Sequence, residues 1–387
     1  MNLPLPRWYR EKVEPVPDTE DQKVSTLELF FDLVFVFTVT QLTHVVAHDF
    51  TSGVIQTLLM FAVIWYMYSA YAWMTNAVPP QRPARRVLLL VAMAGWFVIA
   101  LAVPDAFHGT GVWLGAGMVV VVVLHGLMYL QSTNRILVFL SVNLTGAILI
   151  VIAGFQHGLP QYLLWTAALV VMWLGPALTG QEGFPLHPGH ITERHGLVVI
   201  VALGESIIVV GSGALKVGEK TGELNGQIIS VAILGLALTA CLWWAYFTAD
   251  AVRAEHALVS TGDQVRRTRM VLLGFFFSHI PILLGIVGMA AGLGDAIGKA
   301  TKPLAGGPGI ALGAGVALFL LGSVLFRISL RLPAGTVRIV AVVLSLATIP
   351  LGRVAAVWQL VALFGILLAV VITEEASRRR DQLVTSE

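Results

Sequence analysis

Apolar runs of membrane-crossing length, punctuated by Gly, Pro and clusters of Lys and Arg, constrain this chain more than any motif in it. A segment in hydrocarbon must satisfy its backbone N–H and C=O groups internally, which admits only a helix or a strand of a closed barrel. A helix needs about 20 mostly apolar residues to cross, and the runs lack the alternation of a barrel wall. Twelve such runs fall at 26–47, 53–75, 85–104, 111–130, 134–154, 160–178, 192–212, 227–248, 269–292, 308–327, 336–350 and 354–373. Pro350, Gly352 and Arg353 interrupt the last pair, as a kink or a re-entrant hairpin would. Composition agrees: 57% of the 387 residues are hydrophobic and 12% are charged, against about 25% charged in a soluble domain. The fold class expected is all-α, a polytopic integral membrane protein of about 12 transmembrane helices.

Charge sets the orientation. Residues 1–24 are polar and Pro-rich with no apolar h-region, so they read as a cytoplasmic tail and not as a cleavable signal. With that tail inside, all Lys and Arg except Lys216, Lys220, Lys299, Lys302 and Arg353 fall on cytoplasmic segments, Arg135, Arg327 and Arg338 among them. That bias supports both termini being cytoplasmic. The halves also resemble each other. Arg85-Arg86 opens the third run as Arg267-Thr268-Arg269 opens the ninth, and aromatic clusters at 65–71 and 243–247 close the runs before them. Two parallel six-helix repeats follow as an expectation, related by an axis along the membrane normal. The expected organisation is a tail over 1–24, repeats over 25–180 and 181–373, and a second cytoplasmic tail over 374–387.

Within this apolar background, ionisable groups at membrane depth are costly, about 2.5–3.5 kcal/mol each on insertion scales, and so mark functional sites. Glu28 and Asp32 stand one turn apart at the start of the first run, roughly 40° apart on one helix face. Ser25-x-x-Glu28 also fits a capping box, which gives Glu28 a purely structural alternative. Asp32 lies a turn deeper and needs a partner. It is either fixed in an ion pair, most simply with Arg194, or free to titrate and meet substrate. The seventh run carries Glu193, Arg194, Glu205 and Ser206. Arg194 and Glu205 share a face but stand about 16 Å apart along the axis, so Glu205 falls near mid-membrane. His44 lies on another face from Asp32, where snorkelling to the outer interface competes with function. His279, beside the helix-breaking Pro281, is either a proton carrier or a hydrogen-bonded packing residue.

Other signals point nowhere. One cysteine, Cys241, excludes a disulfide framework and a multi-Cys metal site. His187, His190, Glu193 and His195 are dense in ligand atoms but match no closed zinc spacing. Gly218-Glu219-Lys220-Thr221 interrupts the Gly-Lys pair of a phosphate-binding loop. No cofactor and no nucleic-acid partner is expected; the partners expected are the lipid bilayer and an unidentified small solute or ion, with the oligomeric state open.

Leu27-Glu-Leu-Phe-Phe-Asp-Leu-Val-Phe-Val-Phe37 followed by Gln41-Leu-Thr-His44, with Glu193-Arg194-His195-Gly196 and Leu203-Gly204-Glu205-Ser206, resembles the bacterial low temperature requirement A family. The resemblance implies a multipass protein of the bacterial inner membrane, named for growth in the cold, and supplies no reaction. Three functions then compete. The first is a transporter or proton- or ion-coupled permease, with Glu28, Asp32, Arg194 and Glu205 on the pathway. The second is a membrane-embedded enzyme acting on lipid, with Glu28, Asp32 and His190 or His195 as its acid–base groups. The third is a structural or sensory membrane protein. The acids favour the first, and a non-enzymatic role with it.

Overall fold

The computed structural model describes residues 23–131, 136–179, 186–248, 250–304, 306–333 and 335–385. Most of the N-terminal tail and Arg135, both used in the orientation argument, lie outside the described residues. Every regular element among the described residues is helical. Ten of these helices are long and apolar enough to cross a membrane: Thr26–His48, Phe50–Ala77, Pro83–Asp105, Gly111–Tyr129, Ile136–Ala153, Pro188–Lys220, Gly226–Val259, Gln264–Ala296, Gly306–Ser329 and Ala356–Arg380. Two shorter apolar stretches, Leu159–Gly175 and Thr336–Gly352, stand where the sequence places its sixth and eleventh runs.

The second of these is broken inside its apolar run. It divides into Thr336–Ala347 and a single turn, Ile349–Gly352, with Pro350 in the first turn of the latter, a position where its missing N–H is harmless. At 1.5 Å per residue the 17 residues of Thr336–Gly352 reach about 25 Å, short of the ~30 Å hydrocarbon core. The hairpin that follows is tied to the preceding loop by backbone bonds, from Leu304 to Gly352, from Ala356 to Lys302 and from Val357 to Ala300 (2.8–3.0 Å).

The helices group into two compact units, residues 1–45 with 52–198 and residues 46–51 with 199–387. In the first, α1 (Thr26–His48) and α2 (Phe50–Ala77) carry interleaved aromatic rings. Phe35 lies 4.0 Å from Tyr68 and Phe31 lies 5.2 Å from Tyr71, centroid to centroid, while Trp96 of α3 (Pro83–Ala102) meets both phenylalanines edge-on. Then α3, α4 (Gly111–Tyr129), α5 (Ile136–Ala153) and α6 (Leu159–Thr179) pack in chain order. The first turns of α7 (Pro188–Thr221) complete this unit, and the remainder of α7 belongs to the second.

The second unit contains α8 (Gly226–Phe247), α9 (Asp250–Val259), α10 (Gln264–Val271), α11 (His279–Ala296), α12 (Gly306–Ser329), α13 (Thr336–Ala347), α14 (Ile349–Gly352) and α15 (Ala356–Thr385). Here α11 and α12 touch backbone to backbone. A methyl group on Gly285 would stand 2.5 Å from the Phe319 nitrogen and 2.6 Å from the Gly315 oxygen. Lipid tails are as apolar as Leu, so helices in a bilayer gain by such close van der Waals approach, which small residues allow.

Candidate functional site

α1 starts where it does because Ser25 caps it. The Glu28 N–H donates to Ser25 Oγ (3.3 Å), while Ser25 donates to Glu28 Oε2 from its N–H (2.9 Å) and its hydroxyl (2.7 Å). The capping box is thus complete, and it uses one carboxylate oxygen. The other oxygen, Oε1, receives His190 Nε2 at 3.0 Å and lies 3.6 Å from Arg194 Nη1. Glu28 thus caps α1 through one oxygen and joins an ion cluster through the other.

One turn deeper, Asp32 Oδ1 accepts the Tyr68 hydroxyl at 2.9 Å and faces Arg194 Nη2 at 3.0 Å. Asp32 and Arg194 are both fully buried, and Glu28 is 2% exposed. The pairing of Asp32 with Arg194 that the sequence suggested is therefore made. Its partners come from two helices with the same spacing: Glu28 and Asp32 one turn apart on α1, His190 and Arg194 one turn apart on α7. Glu28 meets His190 and Asp32 meets Arg194, so the two helices run in the same direction here, with Arg194 also bridging back to Glu28. The guanidinium lies over the rings of Phe31 and Tyr68, 5.3 and 5.9 Å from their centroids, within cation–π range.

The cluster is incompletely bonded. Among the described residues, Asp32 Oδ2 and Arg194 Nε, Nη1 and Nη2 are buried without a directed hydrogen bond; Arg194 is held by proximity to its carboxylates and not by aligned N–H···O geometry. Buried polar atoms are almost always paired, so Asp32 Oδ2 and Arg194 Nε, which have neither a hydrogen bond nor an ion-pair contact among the described residues, are exceptional.

The remaining candidates are dispersed. Glu193 is exposed and accepts the Val24 N–H at 3.0 Å, and His44 is exposed farther along α1. Glu205 and Ser206 lie in the part of α7 that belongs to the second unit. Glu205 is half-buried, and a Cβ on the adjacent Gly204 would meet open space. Ser206 is buried and its hydroxyl reaches back to Ala202 O at 3.5 Å. His279, also in the second unit, is buried at the end of a π-helical turn, Leu272–Phe277. Its Nδ1 meets Gly274 O at 3.0 Å, which makes that nitrogen the donor, and Nε2 then accepts the Tyr246 hydroxyl at 2.8 Å. Pro281 leaves the Phe277 carbonyl without its usual helical donor; the wide turn lies just before it, where the Ser278 and His279 side chains bond to the carbonyls of Leu273 and Gly274.

A second buried ion cluster lies in the second unit, where sequence reasoning placed none. Glu374 on α15 receives Nη1 and Nη2 of Arg327 at 2.9 and 3.0 Å, and Nε and Nη2 of Arg338 at 2.8 and 2.9 Å. Asp250, at the start of α9, takes Arg327 Nε at 2.7 Å and Arg338 Nη1 at 2.6 Å. Arg338 Nη2 also donates to Ala245 O at 2.8 Å. Arg327 and Arg338 read in the sequence as loop charges that fix orientation. They are 5% and 0% exposed, and only the presence of two acids, Asp250 and Glu374, at other helix ends could have signalled a pairing. In the first cluster, the missed partners are Tyr68 and Asn76, whose Nδ2 meets His190 Nδ1 at 3.3 Å; His190, named with Glu28 and Asp32 in the enzyme reading, has a four-residue offset from Arg194 that repeats that of Glu28 from Asp32.

A family model described as bacterial low temperature requirement A protein (LtrA) matches residues 23–373. A protein of Rhizobium meliloti (strain 1021), described as uncharacterized, is 28% identical over 306 residues, covering 74% of this chain and 71% of its own.

Proposed function

The chain belongs to the bacterial low temperature requirement A family, and from that premise we propose that this multipass membrane protein is a transporter, a proton- or ion-coupled permease that works through its membrane-buried carboxylates. The observation that carries the reading is the unfinished bonding of Asp32 and Arg194 at zero exposure. A buried ion pair kept only for stability is expected to be saturated with hydrogen bonds, because desolvation is otherwise not repaid. A pair that must release and regain a proton or a substrate group keeps an oxygen and several N–H donors uncommitted. Glu205, half-buried in the second unit, is the other acid of this reading.

The reading includes twelve helices in two parallel six-helix repeats, both termini cytoplasmic, in the bacterial inner membrane. The matching four-residue spacings on α1 and α7 support the repeat: each helix presents its pair of polar residues in its opening turns and in the same direction. Reconstitution in liposomes with a pH-sensitive dye tests the function. Flux is expected from the native chain and is lost in Asp32→Asn or Glu205→Gln; unchanged flux in both variants removes these acids from the mechanism.

A further inference from the structure

We propose that the first cluster binds one proton, on Oδ2 of Asp32, and that Asn76 reserves that proton for Asp32 by holding His190 neutral. The proposal rests on the reading of the cluster as a coupling site and names its ion and its atom.

The orientation of Asn76 is settled by a group that has no choice. The backbone N–H of His187 can only donate, and it meets Asn76 Oδ1 at 3.1 Å. The amide nitrogen therefore points the other way, to His187 O at 3.1 Å and to His190 Nδ1 at 3.3 Å. An NH2 group is a donor, so Nδ1 is the acceptor and the imidazole proton sits on Nε2, where it is given to Glu28 Oε1. A second proton on His190 would set an N–H against the Asn76 NH2. Turning the amide to relieve that would set the NH2 against the His187 N–H. Asn76 is thus a positioning residue: it touches no proton in transit but fixes the charge state of the histidine that could have taken one.

With His190 neutral, the charges do not balance. Facing Asp32 are Glu28 from its own helix, Tyr68 from α2 and Arg194 from α7, with His190 beyond Glu28. From α3 the neighbour is the uncharged Trp96, against Phe31 and Phe35. The nearby His195 and His125 rings bond to the carbonyls of Ile191 and Ala70. Two carboxyl groups therefore share one obligate cation. A buried charge without compensation takes up a proton in preference to remaining ionised.

The proton has one place to go. Both oxygens of Glu28 already receive donors, so an added O–H there would meet N–H or O–H groups. Oδ1 of Asp32 is likewise engaged by Tyr68 and Arg194, whereas Oδ2 has no donor among the described residues. The step is the formation of one O–H bond on Oδ2 with a proton from the aqueous phase; no other bond changes. When it leaves, Arg194 is shared between two carboxylates, and the ladder between α1 and α7 is redistributed.

The experiment is an infrared titration of the full chain in lipid nanodiscs, in water and deuterium oxide, with nitrogen-15 spectra of labelled histidine. A carboxylic-acid C=O band is expected that shifts on deuteration and disappears in Asp32→Asn. It should persist at nearly the same midpoint in His190→Gln, which removes no charge. In Glu28→Gln the remaining acid is matched by Arg194, and its proton affinity should fall about tenfold or more, a shift of about one pH unit. The His190 signal, assigned by its loss in His190→Gln, should stay that of a neutral ring protonated at Nε2 throughout. Failure of Asp32→Asn to remove any acid band, or a doubly protonated His190 over an ionised Asp32 in the unmutated chain, overturns the proposal. No transport enters these readouts: an intact Asp32 band without proton flux in liposomes refutes the transport reading alone, and flux without the band refutes this one alone.

Discussion

In the second unit, two arginines and two carboxylates exchange six directed hydrogen bonds, and a seventh ties Arg338 to the backbone of Ala245. In the first unit, one arginine faces two carboxylates at 3.0 and 3.6 Å without an aligned N–H···O bond to either. Both clusters are buried, and both join the ends of helices distant in sequence. The saturated one is balanced in charge and bonded at every carboxylate oxygen, as a joint must be to offset desolvation. The other leaves Asp32 Oδ2 without a hydrogen bond among the described residues. The same residue types are thus bonded differently in the two places, and saturation distinguishes them.

That contrast can be broken most severely at Arg338. Arg338→Ala leaves Asp250 and Glu374 to share Arg327, an uncompensated buried charge expected to cost about 3–5 kcal/mol, seen as a fall in thermal stability of the purified protein in detergent. A small effect would mean that the second cluster is not a joint. Gly335 comes next. It adopts φ +73° and sits where a Cβ would stand 2.8 Å from Arg327 Nη1; Gly335→Ala combines a left-handed backbone, about 1–2 kcal/mol, with displacement of that guanidinium. Ser25→Ala removes the cap of α1 while leaving the cluster charges in place, and about 1 kcal/mol of stability should go with it. Asp32→Asn sharpens the comparison from the other side. It imitates the neutral acid, so stability should change by less than about 1 kcal/mol, within the range of ordinary substitutions, although Asp32 is fully buried. Glu193→Gln, at an exposed residue, should shift stability by no more than about 0.5 kcal/mol.

Much of this is legible in the sequence for a plain physical reason: hydrocarbon tolerates few ionisable groups, so Glu28, Asp32 and Arg194 stand out against their apolar neighbours by residue type alone. The helices are legible too, except where Pro350 starts a new turn inside an apolar run and shortens it. Arg327 and Arg338 are not, because a charge at a helix end looks the same in sequence whether it is hydrated or buried against Glu374. Asn76 and Tyr68 escape for a different reason. Their polar tips are a small part of an otherwise apolar helix, and only the direction in which each points gives them a role. Glu28 shows that a capping residue can also join an ion cluster when the side chain has two oxygens to offer.

Proton flux into liposomes, compared between the native chain and Asp32→Asn at matched amounts of folded protein, tests the central claim most directly. The unsaturated cluster predicts flux in the native chain and its loss in the variant without a loss of folding. Equal flux in the two, or a variant that fails to fold while Asp250→Asn in the saturated cluster folds normally, would contradict it.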